Sequence, residues 1–152
     1  MSVEPQIVKA LKEAMIAKDE ASLRSLRAIK AAFMEAKTAA GAKGQLSADD
    51  EMKILQKLVK QRKDSLSIYT EQKRDDLATK EKEEIEVIEK FLPQQMTTEE
   101  IKTVVQKIIN DLGASSMADM GKVMGIATKQ LLGKADGKEI STQVRTLLSG
   151  QD

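Results

Sequence analysis

From residue 121 to residue 138 the sequence reads GKVMGIATKQLLGKADGK. It holds Gly121, Gly125, Gly133 and Gly137, and among them Lys122, Lys129, Lys134 and Lys138, with Asp136 as the one acid. Lysine is a compact cation with three donors and no acceptor, so the chemistry such a cluster offers is the binding of anions, phosphates above all. A glycine inside a helix costs about 1 kcal/mol relative to alanine. At about 100° per residue, Met117, Met120, Met124, Ala127 and Leu131 form a core stripe, while Ala118, Gly121, Gly125 and Thr128 form a neighbouring stripe of small residues with Lys122 and Lys129 at its edge. Two readings stay open. Small residues let a second helix pack closely, or they let a bulky ligand reach the backbone while lysines take its phosphates. The glycine turn that follows brings Lys134 and Lys138 to the start of another helix, a natural place for an anion. It is not a nucleotide-binding P-loop: three residues rather than four separate Gly133 from Gly137, and Lys138 is followed by Glu139.

Other chemistry is narrowly bounded. The chain has neither cysteine nor histidine. Thiolate nucleophiles, disulfides, Cys/His zinc sites, iron–sulfur clusters and histidine acid–base catalysis are therefore excluded. The segment KRDDLATKEKEEIEVIEK carries Glu81, Glu83, Glu84, Glu86 and Glu89, which could be paired carboxylates or metal ligands. Acid and base alternate at helical spacing, however, so a solvated helix face laced with weak ion pairs is expected. Lys57, Lys60, Arg62 and Lys63 make a second basic stretch, readable as a phosphate surface or as solubilising charge. Tyr69 is expected to be half-buried and hydrogen-bonded across a bundle. No catalytic residue, metal or cofactor is expected. The net charge is only +1, so any nucleic-acid contact must be a local patch.

The elements that position these residues are helices. The 152 residues contain two phenylalanines, one tyrosine and no tryptophan, so the core is built from Leu, Ile, Val, Met and Ala. An all-α fold follows. Ser2, Asp19, Ser47, Asp75, Thr97, Ser116 and Asp136 are the expected helix starts, with one capping box expected at Thr97/Glu100 and an acidic first turn after Ser47. The third helix runs from about Ala48 into the low seventies, and the sixth from Ser116 to near Gly133. TAAGAKGQLS reads as a flexible loop, and PQQMTTEE as the domain boundary. The expected architecture is a helical bundle with long hairpins over residues 1–92, then a compact three-helix module over 97–152. There is no basic-then-apolar leader pattern and no apolar run of about 18–20 residues, so a cytoplasmic chain without a membrane segment is expected.

Several stretches together resemble the YqeY family, also called the GatB/YqeY domain family: SLRSLRAIKAAF, KQRKDSLSIY, RDDLATKEKEEIEVIEKFLP and DMGKVMGIATKQLLGKADGKEISTQV. The likeness spans roughly residues 4 to 149. This family is similar to the tail domain of the B subunit of glutamine-dependent Asp/Glu-tRNA amidotransferase, and to a domain at the start of some glutaminyl-tRNA synthetases. The resemblance implies a helical bundle followed by a small three-helix module, and a tRNA-interacting role for Gly121, Lys122, Gly125, Lys129, Lys134 and Lys138. It also implies amidotransferase subunits or an aminoacyl-tRNA synthetase as partners. Any carbon–nitrogen ligase activity with glutamine as amido-N-donor would belong to such a complex, because this chain holds only the tail-like part. A protein-interaction module is the third function class compatible with the residues.

Overall fold

Short polar side chains set most of the helix starts. In the computed structural model, which describes residues 2–39, 41 and 43–150, seven α-helices and no strand are found among the described residues. They are α1 (Glu4–Ala17), α2 (Glu20–Thr38), α3 (Ala48–Glu71), α4 (Asp75–Glu89), α5 (Thr98–Leu112), α6 (Met120–Gln130) and α7 (Gly137–Leu148). Ala40 and Ala42 of the expected glycine loop, and Gln151 and Asp152 at the end of the expected second module, lie outside the described residues. Asp19 accepts the Ser22 N–H at 3.1 Å and so caps α2. Full capping boxes start α3, from Ser47 and Asp50, and α5, from Thr97 and Glu100. Each satisfies two backbone donors that a helix end otherwise leaves unpaired. Gly113 ends α5 at φ +66°, a left-handed conformation that glycine adopts without strain.

The backbone divides into two units, Met1–Pro93 and Gln94–Asp152. In the first, α3 and α4 pair as a hairpin, α2 packs on both, and α1 lies on α2. Its core is Ile7, Leu23, Leu26, Ile29, Phe33, Leu55, Val59, Ile85 and Ile88. In the second, α5, α6 and α7 pack mutually around Ile101, Val105, Val123, Ala127, Ile140 and Val144.

Four expectations change on folding. Asp75 does not cap α4: Arg74 takes that position, and its guanidinium turns onto Asp76 through contacts of 3.2 and 3.1 Å, holding the Asp76 carboxyl below its usual range. Ser2 stands one residue before the cap position, which Val3 fills, although its hydroxyl does accept the Glu4 N–H. The hydroxyl of half-buried Tyr69 makes no hydrogen bond to another described residue. The acidic face of α4 also forms ion pairs, but they cross to other helices rather than running along its own. Arg24 of α2 reaches Glu83 at 3.0 Å and Glu84 at 3.3 Å, Arg62 of α3 reaches Glu84 at 3.1 Å, and Lys63 reaches Glu89 at 3.4 Å. Burial, and then the charge of Glu84, push the neighbouring Glu81 carboxyl above its ordinary range.

Candidate functional site

The lysines and glycines of the stretch 121–138 lie in the second unit, on α6, on the turn that joins it to α7, and on the first turn of α7. Helix α6 begins later than the sequence suggests. Ser116 accepts the Ala118 N–H and starts a 3-10 turn over Met117–Asp119, and the Asp119 carboxylate folds back onto the Ser115 N–H at 3.1 Å. Met117 therefore lies outside α6 and is 44% exposed instead of forming part of the core. Val123, which the methionine stripe had passed over, is fully buried with Ala127 and Leu131 behind it. After Gln130 the chain leaves the helix for a succession of turns, so Gly133 is not a helical residue.

The opposite face of α6 is bare. Gly121 and Gly125 are both exposed, and a Cβ built on either would meet nothing within 4 Å. Neither has a positive φ. No helix of this unit packs closely against them. Ala118 and Thr128 are exposed beside them, as are Lys122 and Lys129. The two lysines differ by seven residues, which places them on one face about 10.5 Å apart along the axis.

Because the space above the glycines is open and their backbone is helical, Gly121→Ala and Gly125→Ala are each expected to stabilise the second unit by about 0.4–1 kcal/mol. A thermal melt followed by far-UV circular dichroism checks this. A lowered midpoint would mean that the methyl group meets an obstacle.

The turn between α6 and α7 is held from three sides. Gly133 is buried at φ +80°, a conformation glycine adopts readily. Its carbonyl accepts the Gln95 side-chain amide at 2.7 Å. The Lys134 N–H donates to the Leu131 carbonyl, and the Lys134 carbonyl accepts the Met96 N–H, both at 2.9 Å. Lys134 itself is exposed between two buried neighbours, Gly133 and Ala135. Sequence reasoning missed Gln95 and Met96, reading them only as boundary residues. The available signal was a pair of amide side chains just ahead of a capping box.

At the start of α7 Asp136 occupies the cap position and accepts the Lys138 N–H at 2.7 Å. The anion expected at this helix end is thus partly supplied by the chain itself. Lys138 contributes its side chain from the first turn, where it is exposed.

Electrostatics set the two units apart. Every ion pair among the described residues lies within residues 4–89. Lys122, Lys129, Lys134 and Lys138 are in none of them, and all four are exposed. The other basic stretch fares differently. Arg62 turns inward to Glu84 and to the Leu58 carbonyl, and Lys63 pairs with Glu89, which leaves Lys57 and Lys60 exposed. What the second unit offers chemically is exposed ammonium groups and an uncovered stretch of helix.

Fold and surface together define a class: an all-helical chain of two units, the second carrying four exposed lysines outside every ion pair among the described residues and two uncovered glycines on α6. No helix among the described residues is long and apolar enough to cross a membrane. A family model described as Yqey-like protein matches residues 4–148. The protein named Altered inheritance of mitochondria protein 41, mitochondrial, from Saccharomyces cerevisiae (strain YJM789) is 34% identical over 140 residues, which are 90% of this chain and 71% of that protein. Proteins of the same name from Candida glabrata and Clavispora lusitaniae are each 34% identical, over 130 residues (84% of this chain, 68% of the relative) and 123 residues (80% and 69%). The chain belongs to the YqeY family.

Proposed function

We propose that this chain is a tRNA-interacting accessory protein that holds folded RNA by its shape and backbone through the second unit. The observation that carries this reading is the bare strip on α6. Two helical glycines sit where a larger residue would fit and would stabilise the helix, and unpaired lysines stand beside them. Lys122, Lys129, Lys134 and Lys138 contact phosphates, and Gly121 and Gly125 admit the sugar-phosphate ridge. The near absence of aromatic residues argues against stacking of single-stranded bases.

Paired substitution tests the reading. Lys122→Glu with Lys129→Glu weakens tRNA binding and flattens the log–log dependence of affinity on salt by about 0.7–0.9 per lost contact. Gly125→Leu weakens binding without a change of charge, because a side chain then occupies the strip. Unchanged affinity and slope in both variants would refute the site.

Association with amidotransferase subunits or with an aminoacyl-tRNA synthetase is a compatible second role, in which any carbon–nitrogen ligase chemistry stays with the partner. A specific observation favours a protein contact of some kind: Val8, Met15 and Ile16 of α1 are exposed, Ile16 to 85%. Co-purification with and without nuclease separates the roles, since a protein contact survives digestion of RNA. Incubation of the pure chain with glutamine, ATP and misacylated tRNA yields no amidation on this reading. We place the chain in the cytoplasm. The relatives above are named as mitochondrial, and cell fractionation decides whether this chain shares their compartment.

A further inference from the structure

We infer that Gln95 is a positioning residue for Lys134: by locking the glycine turn after α6 it holds that ammonium group outward for an anionic partner. The inference rests on the RNA-binding reading for its partner, and on the geometry of the turn for its mechanism.

The backbone from 131 to 135 has no helix or sheet to fix it. A segment of this kind opens easily unless its polar groups are paired elsewhere. Here they are. Gln95 donates its side-chain amide to the Gly133 carbonyl at 2.7 Å, and the next residue, Met96, donates its N–H to the Lys134 carbonyl at 2.9 Å. The Lys134 N–H is tied back to Leu131. Both backbone groups of Lys134 are thus engaged, and its neighbours Gly133 and Ala135 face inward. With 133 and 135 seated, the side chain of 134 has one direction left, towards solvent. Met96 makes its bond through the backbone and would keep it under most substitutions. Gln95 makes its bond through a side chain, so residue type matters there. An exposed lysine on a loose turn spends its time over many positions, and the entropy lost on binding weakens each contact. A lysine on a pinned turn has already lost the backbone part of that freedom.

The test uses the full chain with Gln95→Ala and Gln95→Glu; the second keeps the shape of glutamine but, as a carboxylate, has no N–H to donate. Trypsin cuts after lysine, so the rate of native-state cleavage at Lys134 reports opening of the turn. Both variants are expected to be cut there several-fold faster than the wild type, while cleavage after Lys122 and Lys129 on α6 is unchanged. Equal cleavage at Lys134 would overturn the lock. Affinity for a tRNA transcript is expected to fall about threefold to tenfold in both variants, and the salt slope by about 0.7–0.9, the signature of one phosphate contact. In a Lys134→Ala background, Gln95→Ala is expected to have no further effect on affinity or slope; additive losses would overturn action through Lys134. If the wild type binds no tRNA, the functional reading fails, and the claim that Lys134 is positioned for RNA fails with it. The lock itself is then decided by cleavage alone.

Discussion

Glu51→Ala is expected to destabilise the first unit by about 2–4 kcal/mol. Glu51 is the one charged residue among the buried described positions, 1% exposed in the first turn of α3. One carboxylate oxygen accepts the Ser2 hydroxyl at 2.8 Å, and the other accepts the Val3 N–H at 3.1 Å. Val3 is the cap residue of α1 and is itself buried. The carboxylate therefore lies where the N-terminal ends of two helices, α1 and α3, converge, and both ends carry partial positive charge. This arrangement offsets the desolvation of the carboxylate without a basic partner. Alanine removes both acceptors, leaves the Val3 N–H unpaired in the interior and opens a cavity.

Glu51→Gln keeps the volume but has only one acceptor oxygen, so a smaller loss of about 1–2 kcal/mol is expected. Urea unfolding followed by tyrosine fluorescence measures both variants. The chain has no tryptophan, and its one tyrosine, Tyr69, lies in α3, so the signal reports on the first unit alone. A Glu51→Ala midpoint equal to that of the wild type would show that the clamp on the start of α1 contributes nothing.

Loss of Glu84 ranks second. Its two oxygens bridge Arg24 of α2 and Arg62 of α3, so one side chain of α4 ties three helices together. The Glu84 and Arg62 side chains are 14% and 16% exposed, and Arg62 also donates to the Leu58 carbonyl at 3.0 Å. Removing one partner of a fully buried pair costs about 3–5 kcal/mol; partial solvation of this pair lowers the expected loss for Glu84→Ala to about 2–3 kcal/mol. The Arg62→Ala/Glu84→Ala double variant is expected to lose less than the sum of the two single variants, because the first substitution already removes the shared interaction. Strict additivity in urea unfolding would show that the pair is not coupled.

The neighbouring Glu81 supplies a pH signature. Its folded pKa is raised, so its contribution to stability is present below the unfolded value of 4.5 and is lost as the pH rises through the folded value. Part of that rise comes from the charge of Glu84, so the loss across this interval is expected to be smaller in Glu84→Ala.

Helix starts and stops were legible in the residues because capping is local. Ser47 with Asp50, Thr97 with Glu100, Asp19 with Ser22, and Gly113 each act over a few positions, and a reader of the chain sees both partners at once. The lysines and glycines of the candidate site were legible for a similar reason: helical periodicity alone puts Lys122 and Lys129 on one face. Composition, with so few aromatics and no histidine or cysteine, settled the all-helical class and removed most catalytic chemistry.

Other features depend on which faces meet across long stretches of chain. Glu51 looks like one more acid beside Asp49 and Asp50, and only the arrival of Ser2 and Val3, 49 and 48 residues away in sequence, buries it. The α4 acids look like partners for lysines on their own helix until Arg24 and Arg62 come within reach. Gly121 and Gly125 could have been a packing surface, and only the open space above them shows that no helix of this unit covers it. Sequence by itself determined where α2, α3, α5 and α7 begin and what charge each face carries, because those depend on neighbours a few residues apart. Tertiary structure decided which charges are neutralised, which glycines stay bare and which amide pins the Lys134 turn, because burial and pairing are set by contacts between residues far apart in the chain.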